Sequence, residues 1–271
     1  MRLSLLSASL LLCVSLTYGQ TPSPEPPKVD PVGVARAKAK ALLILSTPRE
    51  VKTAPEAVEV LPDPKDWPTS VADLLDPRFG ADGRRAAVAR PLNGTTYAHA
   101  VALLTRDAAQ GKAFWTAVAA RATSGDVKVV PGNGAVMRMV ADAANGVAWG
   151  VTDTDDARVA LEKGDPVAVV YPDQGEGQPG TLVIPNTAAL VKGGDRPADA
   201  ETFLRWLLSK ENEGSLAAGP IANIPLRDDV VAPPHVKRPG KDFRAMEVDW
   251  AAVGRDRDRW QGFLAGLFQA R

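Results

Sequence analysis

The chain has 271 residues and carries 32 basic against 32 acidic side chains, for a formal net charge of zero. Hydrophobic residues make up 45% and charged residues 24%, a balance that fits a globular protein. That neutrality gives no electrostatic case for nucleic acid or for an anionic membrane surface as a partner.

The chain opens on a targeting segment. Arg2 forms a short positive region, and Leu3–Leu16 is an apolar run too short to span a bilayer. Thr17-Tyr18-Gly19 offers small residues for cleavage after Gly19, so residues 1–19 are expected to be a signal peptide. That expectation makes the protein periplasmic or secreted. The single cysteine, Cys13, lies within this segment. A lipoprotein site wants a small residue before the Cys, and Leu12 argues against lipidation there. The mature chain would then hold no disulfide, thiol nucleophile or thiolate metal site. No later apolar run is long enough for a membrane span, so an integral membrane protein is not expected.

Residues 20–36 read as a Pro-rich tether, with TPSPEPPKVD at its centre. Ala41-Leu42-Leu43-Ile44-Leu45 ends a strand that begins near Val34, and Thr47-Pro48 stops it. Pro62 to Pro68 is loop. Ser70 caps a short helix over Val71–Leu75, which Pro77 closes. From Ala86–Ala89 the pattern alternates strand and helix. Tyr97, Ala100, Val101 and Leu104 share one face of a first helix. Trp115, Val118, Ala119 and Ala122 share one face of a second.

Val127–Val130 is a strand, followed by a helix with Val136, Met139, Val140 and Ala143 aligned. An apolar strand from Ala148 then runs into Thr152-Asp153-Thr154-Asp155-Asp156 and a helix that ends near Gly164. Strands are expected at Thr181–Pro185 and Thr187–Val191. A helix with Ala200, Phe203, Leu204 and Leu207 aligned follows Pro197, and Ser209 caps the next. Irregular, Pro-rich chain leads to a final helix with Trp260, Phe263, Leu264, Leu267 and Phe268 on one side. This alternation predicts an α/β fold with a doubly wound, largely parallel sheet.

Three strand-to-helix turns carry polar residues: Asn93-Gly94-Thr95-Thr96, Pro131-Gly132-Asn133-Gly134, and Thr152 to Asp156. In a parallel sheet such turns emerge on one edge, where ligands bind. The first two place amide, hydroxyl and backbone N–H groups at helix N-termini, which suits an anion or the negative end of a dipole. The third places carboxylates, which suit a cation, an ammonium or hydroxyl groups. Tyr171, at the end of the next strand, adds a phenol. The candidate ligand-binding residues are therefore Asn93, Thr95, Thr96, Asn133, Asp153, Thr154, Asp155 and Tyr171.

Each of these also has a purely structural reading. Thr95 and Thr96 are good helix-capping residues, and Pro-Gly-Asn-Gly is ordinary turn chemistry. Acidic first-turn residues complement a helix dipole, and Tyr171 fits a core rim. The case rests on the three turns sharing one edge. No metal site is assigned; Asp153 and Asp155 are the carboxylates available to a hard cation, and no cofactor is expected. His99 and His235 are the only histidines and stand far apart. No nucleophile elbow, Walker loop or zincin motif occurs, so an enzyme is not expected.

A series of short stretches resembles the extracellular solute-binding proteins of bacterial ABC importers, in the branch that includes ferric-iron carriers. The series runs Asp73-Leu74-Leu75-Asp76-Pro77, Ala87-Val88-Ala89-Arg90-Pro91, Gly94-Thr95-Thr96, and Val129-Val130-Pro131-Gly132-Asn133. It continues with Gly150 to Ala157, Val170-Tyr171-Pro172-Asp173-Gln174, Gly180 to Asn186, Ile224-Pro225-Leu226 and Val248-Asp249-Trp250. The resemblance implies a type II periplasmic-binding-protein fold of two α/β lobes that clamp a solute between them. It assigns residues 90–220 to lobe two, 37–89 and 221–250 to a remnant of lobe one with crossing segments, and 251–271 to a C-terminal helix. The first lobe is expected to be reduced.

The function implied is the solute-binding component of an ABC import system, taking a small polar or anionic solute, metal-associated solutes included. Its partners would be that solute and an importer permease. The alternative is a degenerate interaction or scaffold module that no longer serves transport. Iron carriers of this branch hold the metal with adjacent tyrosines at the turn that here reads Thr154-Asp155. The mature chain has only Tyr97 and Tyr171, so that mode of ferric ligation is not expected.

Overall fold

The computed structural model describes residues 35–46, 63–80, 84–142 and 146–269. The expected signal peptide and most of the tether lie outside the described residues. The helices and strands otherwise fall close to where hydrophobic periodicity and capping residues place them. Strand β1 runs Ala35–Ser46. Ser70 accepts from the Ala72 N–H and, with Asp73, forms a capping box for the short 3-10 helix Val71–Leu75. Strand β2 is Arg85–Ala89 and is followed by helices α1 (Gly94–Arg106) and α2 (Ala108–Ser124). Strand β3 (Val127–Val130) leads to α3 (Asn133–Ala141), and β4 (Val147–Asp153) leads to α4 (Thr154–Glu162).

Gly164, at φ +73°, closes α4. The N–H of Asp165 reaches the Ala160 carbonyl and that of Gly164 the Leu161 carbonyl; these two bonds satisfy the last turn in the Schellman pattern. Strand β5 is Ala168–Val170 and β6 Val183–Ala188. Helices α5 (Pro197–Leu207), α6 (Lys210–Ala218) and α7 (Trp250–Phe268) complete the chain. None of the described helices is long and apolar enough to cross a membrane.

The sheet order is β3-β2-β4-β1-β5, with β6 also paired to β1. β2 is parallel to both β3 and β4, which gives the expected parallel heart. β1 is antiparallel to β4 and to β5. β1 is thus inserted between β4 and β5, which run the same way. The strands of β2 and β4 are buried almost throughout, as a sheet covered on both faces requires. Ala86, Val88, Trp149 and Val151 face a core shared with α1, α2 and α7. Gly150 faces the other way, against Val136 and Val140 of α3.

Several expectations need correction. β6 is one continuous strand through Asn186, where two strands were expected; Thr181 instead bridges to Ala245. On α3 the buried residues are Val136, Met137 and Val140, without Met139; the helix packs nearer its 136/140 row, and Ala143 lies outside the described residues. β2, which ends just before residue 90, shares ladders with β3 and β4. The chain divides into two compact units. Of the described residues, one contains 40–46, 63–80, 84–142, 146–184, 220–222 and 237–269, and the other 35–39, 185–219 and 223–236.

In the second of these units, buried Glu213 on α6 accepts the N–H groups of Leu226 (2.6 Å) and Arg227 (3.2 Å) and so anchors the Ile224-Pro225-Leu226 turn. Its helix α5 has the expected apolar stripe but buries no residue, with Phe203 41% and Trp206 56% exposed.

In the larger unit the core is aromatic. Trp115 is fully buried, with Phe114 (5.1 Å) and Phe268 (6.0 Å) edge-on to it. His99 lies beside it, ring centroids 6.3 Å apart, and burial pushes its imidazole down to about 4. A depressed folded-state value means that the unfolded chain binds the extra proton first. Stability is therefore full above about pH 6.5, the ordinary imidazole value, and falls as pH drops toward 4. The expected loss is about 2–3 kcal/mol from this group. Urea melts between pH 7 and 4 should show that slope and His99→Phe should flatten it; an unchanged slope in the variant would remove the assignment.

Candidate functional site

The carboxyl ends of β2, β3 and β4 meet the amino ends of α1, α3 and α4 on one edge. β4 supplies the centre. Thr152 and Asp153 end the strand fully buried, at 0% and 3% exposure, because the strand is covered on both faces until the chain turns into α4. The Asp153 carboxylate accepts from the Asn133 side-chain amide (Nδ2 to Oδ2, 2.9 Å) and from the Thr95 hydroxyl (3.3 Å). The same Asn133 amide donates to Thr95 Oγ1, and its Oδ1 accepts from Thr96 Oγ1 at 3.2 Å. Thr152 Oγ1 donates to the Asn133 carbonyl, also at 3.2 Å. One asparagine and one aspartate thereby tie the three turns together.

The helix N-caps on this edge share a pattern found at one other described helix, α5, whose N-cap Arg196 also makes no side-chain cap hydrogen bond. The N-cap residues of α1, α3 and α4 are Asn93, Gly132 and Asp153, and none makes a side-chain cap hydrogen bond. Elsewhere Asp107, Ser209 and Asp249 cap α2, α6 and α7 with their side chains. At α3, Gly132 supplies no side chain at all. Asp155 and Asp156 in the first turn of α4 complement its dipole. The first N–H groups of α1 and α3 have no side-chain cap on this edge.

Of the eight candidate residues, Thr95, Thr96, Asn133 and Asp153 form the network. Asn93 is exposed at the mouth of the first turn, and Thr154 and Asp155 are half-buried at the start of α4. Tyr171 is on the same edge but apart from the network. Ile44 of β1 pairs with both Val151 and Val170, which puts Tyr171 level with Thr152 but two strands, roughly 10 Å, away. Its ring stacks on Phe243 at 4.5 Å, and burial with Asp242 nearby pushes its phenol up to about 12. Tyr97, the other tyrosine among the described residues, donates its hydroxyl to the Arg257 carbonyl at 2.7 Å. No group of three or more His, Cys, Asp or Glu side chains suited to a metal ion gathers among the described residues.

Two features of this edge carry no local signal in the sequence. Thr152 reads only as a strand residue, yet it fixes the Asn133 backbone. The loop after Tyr171 is clasped by Arg244, whose guanidinium donates to the carbonyls of Asp173 (3.1 Å), Gly175 (2.7 Å) and Gln178 (2.8 Å). Asp173 sits at φ +64° and accepts from the Ser70 hydroxyl. Burial raises its carboxyl, and the Ser70 bond opposes that rise.

An α/β scaffold with uncapped helix N-termini on one strand edge defines a binding protein built to hold a small ligand. Residues 49–244 match the model of the bacterial extracellular solute-binding proteins, and the chain belongs to that family. Its members are solute-binding proteins and not enzymes. No curated protein matches the chain at a significant level.

Among solved structures it is similar to iron-bound HitA from Pseudomonas aeruginosa, at 21% identity and a TM-score of 0.66, covering 84% of this chain and 68% of that one. The ferric binding protein from Campylobacter jejuni gives 16% and 0.67, with 86% and 69% covered. AfuA from Actinobacillus pleuropneumoniae, with exogenous fructose-6-phosphate bound, gives 14% and 0.66, with 87% and 68% covered. These likenesses establish the type II periplasmic-binding-protein fold.

Proposed function

We propose that this protein captures a small polar or anionic solute for an ABC importer, outside the cytoplasmic membrane. The binding edge is built from Asn93, Thr95, Thr96, Asn133, Asp153, Thr154 and Asp155. One observation carries this reading: the Asn133–Asp153 network joins three strand-to-helix turns while the N-termini of α1 and α3 keep no side-chain cap. Asp153 is buried and already engaged, so its role is to brace the turns. The solute's negative end is met by the N–H groups of α1 and α3, and its hydroxyl or cationic part by Thr154 and Asp155. A solute carrying a metal ion would meet carboxylates here, since Tyr97 and Tyr171 are committed elsewhere.

Thermal unfolding against sugar phosphates, phosphonates, small carboxylates and ferric citrate tests this. A ligand at 100 times its Kd adds about 2.7 kcal/mol, a rise of several degrees. A folded protein whose Tm moves with none of these ends the reading. The aromatic face of α5 favours a second one, an interaction or scaffold module without transport. That reading expects no solute response and a protein association lost in a Phe203→Ser, Trp206→Ser double variant.

A further inference from the structure

We propose that Asn93 is a site of spontaneous deamidation at the mouth of the first turn. This chemistry does not depend on what the protein binds. The chain places Gly directly after Asn at Asn93-Gly94, Asn133-Gly134 and Asn145-Gly146; Asn145 lies outside the described residues, and the structure treats the other two pairs in opposite ways. In the reaction the backbone nitrogen of Gly94 loses its proton and attacks the Asn93 side-chain carbonyl carbon. A new C–N bond closes a five-membered succinimide, and the side-chain nitrogen departs as ammonia. Water then opens the ring at either carbonyl, which yields aspartate or isoaspartate. Water is the only co-reactant, and no oxidant or reductant takes part.

Three requirements favour Asn93. Its carboxamide must be free to turn, and it is exposed and takes no part in capping α1. The attacking N–H must be available, and Gly94 is the first residue of α1, where N–H groups lack an intrahelical acceptor. The approach must be open, and at Gly94 a Cβ would meet nothing within 4 Å. Asn93 has an extended backbone, at φ −156° and ψ 172°. Swinging its peptide toward the side chain disturbs one terminal bond, Tyr97 N–H to the Asn93 carbonyl at 3.2 Å.

Asn133 fails the same requirements. Its amide nitrogen donates to Thr95 and Asp153, and its amide oxygen accepts from Thr96. Its backbone carbonyl is held by Thr152. The space beside Gly134 is filled, with Asp156 Oδ1 3.3 Å from a Cβ built there. Attack at Asn133 must first break the network that joins the turns.

The test incubates the purified full chain at mildly alkaline pH, native and in urea, and follows each Asn-Gly pair by peptide mass mapping. Isoaspartate is scored by enzymatic carboxyl methylation. In the native protein the 93–94 peptide should convert many-fold faster than the 133–134 peptide, with isoaspartate present, and Gly94→Ala should suppress it. In urea the two peptides should convert at comparable rates. Native conversion at 133–134 as fast as at 93–94, or a native 93–94 peptide that stays intact while the unfolded one converts, overturns the proposal.

Discussion

Replacing Gly150 by alanine should destabilise the protein by about 3 kcal/mol, and by valine about 4 kcal/mol or more. Gly150 lies in the middle of β4, where α3 crosses the sheet. A Cβ there would stand 2.5 Å from Val136 Cγ1, 2.9 Å from the Ala87 carbonyl oxygen and 3.2 Å from Val140 Cγ2. Two of those atoms belong to α3 and one to the backbone of the neighbouring strand. The side-chain clash can be relieved by moving or trimming Val136; the carbonyl cannot move without breaking the β2 ladder. The Gly150→Ala, Val136→Ala double variant should therefore recover only part of the loss, about 1 kcal/mol relative to the sum of the singles. Urea unfolding midpoints of the four proteins measure this. A Gly150→Ala midpoint equal to wild type would show that α3 does not sit this tightly on β4. The effect would reach the site as well, because α3 carries Asn133 at its N-terminus.

Removing the Asp153 carboxylate has the second large effect. Asp153→Ala leaves the Asn133 amide and the Thr95 hydroxyl without their shared acceptor at a site 3% exposed. Hydrogen bonds to a charged group contribute about 1.5–3 kcal/mol each, and stranding their donors adds a desolvation cost. The expected loss is about 3 kcal/mol, discounted because the three side chains act as one network. Asp153→Asn keeps the shape, retains one carbonyl acceptor and should lose about half as much.

The same variant separates brace from ligand. If Asp153 acts by holding the turns, Asp153→Ala should weaken solute binding at least about tenfold through lost preorganisation. Asp153→Asn should retain most of the affinity. Equal affinity in Asp153→Ala and wild type would sink the bracing role. A loss in Asp153→Asn as deep as in Asp153→Ala would show that the charge itself meets the solute.

Much of this edge could be read from the chain because its signals are local. Ser70 ahead of the short 3-10 helix, Ser209 ahead of α6, and Gly164 behind α4 act within one turn of their own residues, and each performs its expected role. The 3.6-residue spacing that aligns Ala100, Val101 and Leu104, or Trp260, Leu264 and Phe268, is written by the core those residues enter. The three polar turns were legible for the same reason, since a strand that ends in Asn-Gly, Gly-Asn-Gly or Thr-Asp-Thr states its own chemistry. Tyr171 shows the limit of that reasoning. Its register places it on the edge as expected, yet its ring is claimed by Phe243, 72 residues later in the chain.

Composition, periodicity and capping thus decided which segments are helix or strand, that the heart of the sheet is parallel, and which turns are polar. These depend on residues close in sequence, whose backbone preferences and spacing act before any distant contact forms. Only tertiary structure decided that β1 enters antiparallel between β4 and β5, that residues 40–184 group with α7 in one unit, and that Arg244 clasps the loop after Tyr171. It also decided that Asn133 and Asp153, 20 residues apart, share one hydrogen bond. Such pairings join groups whose mutual fit exists only once the sheet has closed, and no short-range preference encodes them.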